Sequence, residues 1–323
     1  MLAVHIENGV VEMRRRARPR QPEGFALIRL LCGGICNTDL ELKRGYYGFR
    51  GTPGHEFEGQ VVEADKRALI GRRVVGEINL DCGRCEWCRR GLGRHCPHRT
   101  VLGIVKHPGC FSEFFTLPAR NLHVLPDEIP TEEAVFTEPL AAACEILDQL
   151  AIPREDQVAV RGKGKLGLLI GQVLEAHGYT VRLFGRQDGV PRAAFNWVVD
   201  ASGSAEGPRQ AVEMVRPRGT VIMKSTLHGM VRLDTAPVVV NEVTLIGSRC
   251  GRFEPALELL CSGKLRLSEM IADRFPLAEA PRAFARAGQK GVLKVVLSAR
   301  REDSSPIRPT ARLRNFCLLT FAF

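Results

Sequence analysis

Residues 158–167 read Val-Ala-Val-Arg-Gly-Lys-Gly-Lys-Leu-Gly. Val158–Val160 is a short buried-strand run, and a Gly-x-Gly-x-x-Gly turn follows it directly. Leu166–His177 then carries helical apolar spacing, Gly178 stops it, and Thr180–Phe184 reads as a second strand. Together they make a strand–helix–strand unit. In isolation the glycine pattern is weak evidence. Between a strand and a helix it points to a dinucleotide, because the glycines allow a tight turn and close backbone approach, and the helix start presents free N–H groups to a diphosphate. Gly162, Gly164, Lys165, Leu166 and Gly167 are the candidate cofactor-binding residues of this turn.

The same alternation continues outward. Asn196–Val199, Gly219–Met223 and Glu242–Ile246 read as strands, and Glu206–Val215 and Glu254–Cys261 as helices. Such alternation predicts an α/β unit, a parallel sheet with helices on both faces. Where the second strand ends, a nicotinamide enzyme that uses NAD places an acid for the ribose hydroxyls. Here the residues are Gly185-Arg186. An arginine there suits the 2′-phosphate of NADP, so the reading leans to NADP over NAD, with a solvent-facing Arg186 as the bland alternative. Lys224-Ser225-Thr226 and Ser248-Arg249-Cys250 follow two further strands, where polar residues are commonly turn formers.

Before this unit the character differs. The first part of the chain is rich in glycine, turns and short β-like runs such as Phe25–Leu31 and Gly59–Glu63, which predicts an irregular β-barrel. Glu138–Leu150 has helical spacing with a proline right after its first residue. After about residue 265 the chain resembles a return to the first domain, with Ala283–Ala287 helical and Gly291–Leu297 a strand. The expected division is 1–147, 148–265, 266–298 as the return, and 299–323 as a disordered tail.

With 323 residues the chain is long enough for two cores. It carries 46 Lys and Arg against 36 Asp and Glu, a net charge of +10, but aromatics do not alternate with the basic residues, which argues against a nucleic-acid surface. No apolar run is long enough for a bilayer, and the N-terminus has no secretion-signal pattern, so a cytoplasmic protein with no membrane partner is expected. Eleven cysteines then suit metal binding better than disulfides. Cys82, Cys85, Cys88 and Cys96 offer four thiols in a short loop, the pattern of a closed, structural tetrahedral zinc site. Arg84, Arg89, Arg90 and Arg94 around them offset thiolate charge.

Three further segments carry metal-ligating or proton-moving groups: Gly34-Ile35-Cys36-Asn37-Thr38-Asp39, Gly54-His55-Glu56 and Thr137-Glu138-Pro139-Leu140. Each is weak alone. Their order, with the four-cysteine loop between them and the glycine turn after, resembles the zinc-containing medium-chain dehydrogenases, among them alcohol, sorbitol and threonine dehydrogenases. The resemblance covers roughly residues 1–298. It implies a GroES-like catalytic barrel, a Rossmann cofactor domain, two zinc ions per chain, a small-molecule alcohol as substrate and a homodimer or homotetramer. It implies Cys36, His55 and Glu138 as ligands of a catalytic zinc, with Glu56 either exchanging onto the metal or supporting the ligands from behind. Thr38 matches the hydroxyl that passes the alcohol proton outward, and Asp39 the carboxylate that orients the histidine. The resemblance also implies Ser225 as a cofactor contact. Many relatives have a histidine three residues after this threonine, where this chain has Glu41. They also have a further helix and strand where only Gln187–Phe195 intervene here, so one α/β unit is expected to be missing, leaving the second strand at the sheet edge and a shallower adenosine end.

The expected chemistry is hydride transfer between a secondary alcohol, as in a polyol, sugar or amino alcohol, and NAD(P). The competing readings are a catalytically inactive, zinc-stabilised scaffold and a zinc-free quinone-reductase relative, against which the metal-ligand set counts.

Overall fold

The computed structural model describes residues 1–226 and 230–299. The expected tail, from 300 on, lies outside the described residues. The chain starts with a hairpin of β1 (Leu2–Glu7) and β2 (Val10–Arg15). Its turn is Asn8-Gly9, both with positive φ, the geometry a two-residue hairpin of natural twist demands.

A seven-stranded sheet follows, whose central strand is β3 (Phe25–Ile35). From Ile35 the chain enters the short helix α1 (Asn37–Lys43) and returns through β4 (Glu56–Ala64) and β5 (Arg73–Gly76). A small three-stranded sheet of β6 (Asn79–Leu80), β7 (Thr100–Leu102) and β8 (Lys106–His107) flanks the cysteine loop, which carries one turn of helix, α2 (Glu86–Arg89). β9 (Phe114–Pro118) pairs with β3 and β10 (Leu122–Val124) with β5. One apolar core, with Ile28, Phe57, Val74, Phe111 and Leu117, fills this sheet.

The chain leaves through α3 (Thr131–Ala134) and α4 (Thr137–Gln149). The second sheet is parallel: β11 (Gln157–Arg161), helix α5 (Lys165–Ala176), β12 (Thr180–Phe184), β13 (Phe195–Asp200), α6 (Gly207–Met214), β14 (Val215–Met223), α7 (Ala236–Val240), β15 (Thr244–Gly247) and α8 (Phe253–Cys261). The strand order is β12-β11-β13-β14-β15. Successive residues of β11 point to opposite faces, Val158 and Val160 into one core and Ala159 into another, so both faces are covered. As expected from the short connection, nothing but residues 185–194 joins β12 to β13, and β12 is the sheet edge.

The chain then returns to the first sheet with β16 (Ile271–Pro276), α9 (Ala280–Ala287) and β17 (Lys294–Ser298). β17 lies antiparallel to β3, with Val295 opposite Ile35 and Val296 opposite Gly34. This places Lys294 beside the start of α1.

Several boundaries differ from the sequence reading. Strand β16 and helix α7 carry no clear sequence signal. β16 is an edge strand whose half-buried Asp273 and exposed Arg274 pair with Arg286 and Glu132, so its pattern looks polar. α7 is rich in valine, a strand-former, but Pro237 in its first turn favours a helix start. α9 starts at Ala280 rather than Ala283, with Pro281 in its first turn. β17 starts at Lys294 rather than Gly291, where φ is +84° and the chain is still turning.

Candidate active site and metal centres

The cysteine loop brings four sulfurs together. Cys85 Sγ is 3.4 Å from Cys88 and 3.7 Å from Cys96, and Cys82 is 3.9 Å from Cys88. None forms a disulfide. A zinc tetrahedron with bonds of about 2.3 Å has edges of about 3.8 Å, so the thiols already stand at metal spacing. Backbone N–H groups of Arg84 and Cys85 pull the Cys82 thiol down to about 6, favouring the thiolate a metal needs, while burial raises Cys88 to about 12. Arg94 docks the loop onto α4 by donating to Glu145 at 2.7 Å, and it also donates to the Cys250 carbonyl.

The second cluster is built by the bend between β3 and α1 and by the start of β4. The Cys36, His55 and Glu56 ligand atoms all lie within 4.8 Å of one another. Cys36 caps α1, and its N–H donates to Asp39 Oδ2 at 2.8 Å. Asp39 is buried, accepts from Gly54 N at 3.2 Å and stands 3.5 Å from His55 Nδ1. Burial opposes a charge on His55, but Asp39 and Cys36 outweigh it and raise its pKa well above the usual range. Glycine at 34 leaves room for Glu56: a Cβ there would come within 2.6 Å of Glu56 Oε2. Thr38 Oγ1 lies 3.8 Å from Cys36 Sγ.

Glu138, in the first turn of α4, faces the same cavity but stands outside that 4.8 Å set. Burial raises its pKa, Glu56 adds to the effect, and His55, Lys294 and Lys224 oppose it. The structure therefore gathers Cys36 and His55 most tightly with Glu56, and holds Glu138 in the surrounding wall.

Two lysines of this cavity escape sequence reasoning. Lys294 is buried and its ammonium pairs with Glu56 Oε2; burial opposes the charge, yet Glu56 and Cys36 raise its pKa. The available signal is a single charge inside the apolar run Val292–Leu297. Lys224 reads in the sequence only as a strand-end residue. It is buried and donates to the carbonyls of Ala142 and Arg249 and, at 3.1 Å, to Ser248 Oγ, tying α4 to the ends of β14 and β15. Burial lowers it to about 8.

The glycine turn lies next to this cluster. A Cβ on Gly162 would meet Ala201 O at 2.4 Å, and one on Gly167 would meet Gly162 O at 2.0 Å, so the fold itself requires both glycines. Gly164 has open space where its Cβ would be, and leaves room for a ligand to approach the backbone. A groove of about 560 Å³ runs along the turn past Gly185 and Arg186, and a cavity of about 240 Å³ holds Cys36, Thr38, Glu56, Glu138, Leu166 and Ser225. They share Asn37, Gly164, Lys165, Ser202 and Gly203, so the groove and the cavity adjoin where the turn meets the metal cluster. Ser225 Oγ accepts from Gly203 N at 2.9 Å, bracing the loop at the junction. At the far end Arg186 is exposed, while Asp188, the nearby acid, is held by Lys163 at 2.7 Å and by Gly185 N at 2.7 Å. Arg161, which no motif singles out, donates to Gln210 at 2.7 Å and to the Phe184 carbonyl at 3.2 Å.

The residues fit the groups the sequence implies. Free thiols at tetrahedral spacing suit zinc, and so does a thiol–imidazole–carboxylate set in which Glu56 Oε1 is buried without a hydrogen-bond partner.

Residues 22–127 match the alcohol dehydrogenase GroES-like domain. The chain is 30% identical over 318 residues to L-threonine 3-dehydrogenase of Legionella pneumophila, covering 84% of this chain and 92% of that protein. It is 27% identical over 327 residues to D-arabitol-phosphate dehydrogenase of Enterococcus avium, covering 88% and 93%. Among solved structures it resembles alcohol dehydrogenase TADH from Thermus sp. ATN1, with a TM-score of 0.84, 28% identity and 93% and 100% of the two chains covered. Architecture, metal-ligand spacing and these likenesses agree: the chain belongs to the zinc-containing medium-chain alcohol and polyol dehydrogenase family.

Proposed function

We propose that the chain is a zinc-dependent oxidoreductase that moves a hydride between a secondary alcohol, on a polyol, sugar or amino alcohol, and NAD(P), with NADP preferred. The observation that carries this reading is the cavity that joins the end of the glycine turn to Cys36 and Glu56, which cluster with His55.

Cys36 and His55, with a carboxylate from Glu56 or Glu138, would hold the catalytic zinc, and Cys82, Cys85, Cys88 and Cys96 the structural one. Bound zinc lowers the pKa of an alcohol so that it can lose its proton near neutral pH. Thr38 would accept that proton at Oγ1 and pass it outward. Glu41 is turned to Arg44 as an ion pair, so the outer path has no histidine at that position. Asp39 holds His55 in orientation through Nδ1, which leaves Nε2 for the metal. Leu166 supplies an apolar wall against which a nicotinamide ring would rest, excluding water from the reacting atoms. The turn N–H groups of 162–167 would seat the diphosphate. Arg186 would meet the 2′-phosphate, a role favoured by Asp188 being held by Lys163.

The functional division we infer is 1–147 with 266–298 as the catalytic part and 148–265 as the cofactor part. It is supported by β16 and β17 being hydrogen-bonded into the sheet of β3. A homodimer is supported by exposed Val239, Val240 and Leu245 around the edge strand β15. A cytoplasmic setting is supported by the free thiols; no described helix is long and apolar enough to cross a membrane.

The test is titration of NADPH and NADH into zinc-loaded protein by fluorescence, followed by a panel of polyols and amino alcohols read by reduced-nicotinamide absorbance. Cofactor binding with turnover of a secondary alcohol is the expected result. Intact zinc with no cofactor binding would instead indicate a scaffold.

A further inference from the structure

The cavity beside the metal cluster is lined by three lysines, and their hydrogen bonds differ. All three donors of Lys224 are taken by Ala142, Ser248 and Arg249. Lys294 is held by Glu56. Lys165 Nζ is buried and has no hydrogen-bond partner among the described residues. An ammonium left so is costly unless a ligand supplies its counter-charge.

Lys165 is the first residue of α5 and lines both the groove along the turn and the cavity beside the metal cluster. The charges that act on it most are Lys294, which opposes its own charge as burial does, and Cys36, Glu56 and Asp39, which favour it. All four belong to the metal side of the space. The lysine of the adenosine side is Lys163, and Asp188 already holds it. A metal on Cys36 and its neighbours would draw on the same negative groups, leaving Lys165 with less compensation.

We propose that Lys165 binds an anionic group on the substrate, so that the preferred alcohol is a polyol bearing a phosphate monoester or a carboxylate, its reacting hydroxyl toward Cys36 and its anionic end on Lys165 Nζ. This rests on the dehydrogenase reading above and narrows its substrate class. The turn's backbone N–H groups seat the cofactor diphosphate, so Lys165 is free for this second anion. A lysine serves either anion as a compact point charge.

The experiment titrates zinc-loaded enzyme calorimetrically with D-arabitol, D-arabitol 5-phosphate and D-arabinonate, with and without NADPH, and measures kcat/KM for each. The wild type should favour at least one anionic ligand over the neutral polyol by about 10- to 100-fold, and the favoured one identifies phosphate or carboxylate. Lys165→Met and Lys165→Gln should each cut that preference to about threefold or less, and Lys165→Arg should keep most of it. The proposal is overturned if the wild type shows no such preference, or if the preference survives both neutral variants, including the case where they weaken only NADPH binding. If neither cofactor binds and no alcohol is oxidised, the dehydrogenase reading fails. The anion preference measured without cofactor still decides the role of Lys165.

Discussion

Glu56 is pulled two ways: one oxygen is held by Lys294, and the other is buried without a partner beside Cys36 and His55. A metal would satisfy that second oxygen, and Cys36 is the ligand whose loss tests the arrangement most simply. Cys36→Ser should lower turnover by on the order of 100-fold or more and reduce bound zinc from two ions per chain to one. Unchanged zinc content and rate would remove Cys36 from the centre. Lys224 makes a pH prediction. Its pKa is lowered from 10.5 to about 8, so between these values the unfolded chain binds the extra proton. Stability should therefore rise as pH climbs from about 8 toward 10.5, by on the order of 3 kcal/mol from this group. Denaturant unfolding of Lys224→Met across that range should lack the rise. For Arg186→Asp, the ratio of NADPH to NADH affinity should fall by about 10-fold or more, because a cation facing the 2′-phosphate becomes a repelling anion. An unaltered ratio would leave Arg186 as a surface residue.

At the scale of the element, the cysteine loop has little regular structure: one turn of α-helix, a 3-10 turn at Gly93–His95 and flanking two- and three-residue strands. Such a segment lacks the apolar area to order itself, so its four thiols and the Arg94–Glu145 contact must hold it in place. Cys96→Ser should lower the thermal midpoint by on the order of 5–10 °C and lose one zinc, measured by scanning calorimetry and metal analysis. An unchanged midpoint with both ions retained would contradict a structural site. This element is legible in the amino-acid order itself, because its four ligands are neighbours along the chain and their spacing is their chemistry. Lys294 lies 238 positions from Glu56, and no local pattern couples them. The register of β17 on β3, Val295 opposite Ile35, brings Lys294 to the metal cluster. β16 is hidden for a related reason: its charged positions are stabilised by Arg286 and Glu132, partners from other elements.

Across the whole molecule, the parallel sheet ends in two unpaired edges, β12 and β15. At β12 the shortened connection leaves the adenosine end of the groove bounded by Gly185, Arg186 and the Ser202–Ser204 loop. At β15 apolar side chains are exposed: Leu245 on the strand and Val239 and Val240 on α7 beside it. An exposed apolar edge strand is a template for pairing, and a second copy of the chain would extend the sheet. Leu245→Arg should shift sedimentation from dimer to monomer at micromolar concentration. A monomeric wild type, or a variant that sediments as the wild type does, would refute pairing at this edge.

The missing α/β unit and the candidate catalytic metal ligands came from resemblance to a known family; from the sequence alone came what local spacing encodes: the glycine turn between strand and helix and the four-cysteine loop. Those features are legible because turn geometry and chelation act over a few residues. Tertiary structure alone decided which carboxylate stands nearest Cys36 and His55, which lysine neutralises it and which lysine is left without a partner. These depend on how β3, β4, β17, α4 and α5 converge, and burial in a shared cavity turns modest charges at distant positions into strong mutual interactions.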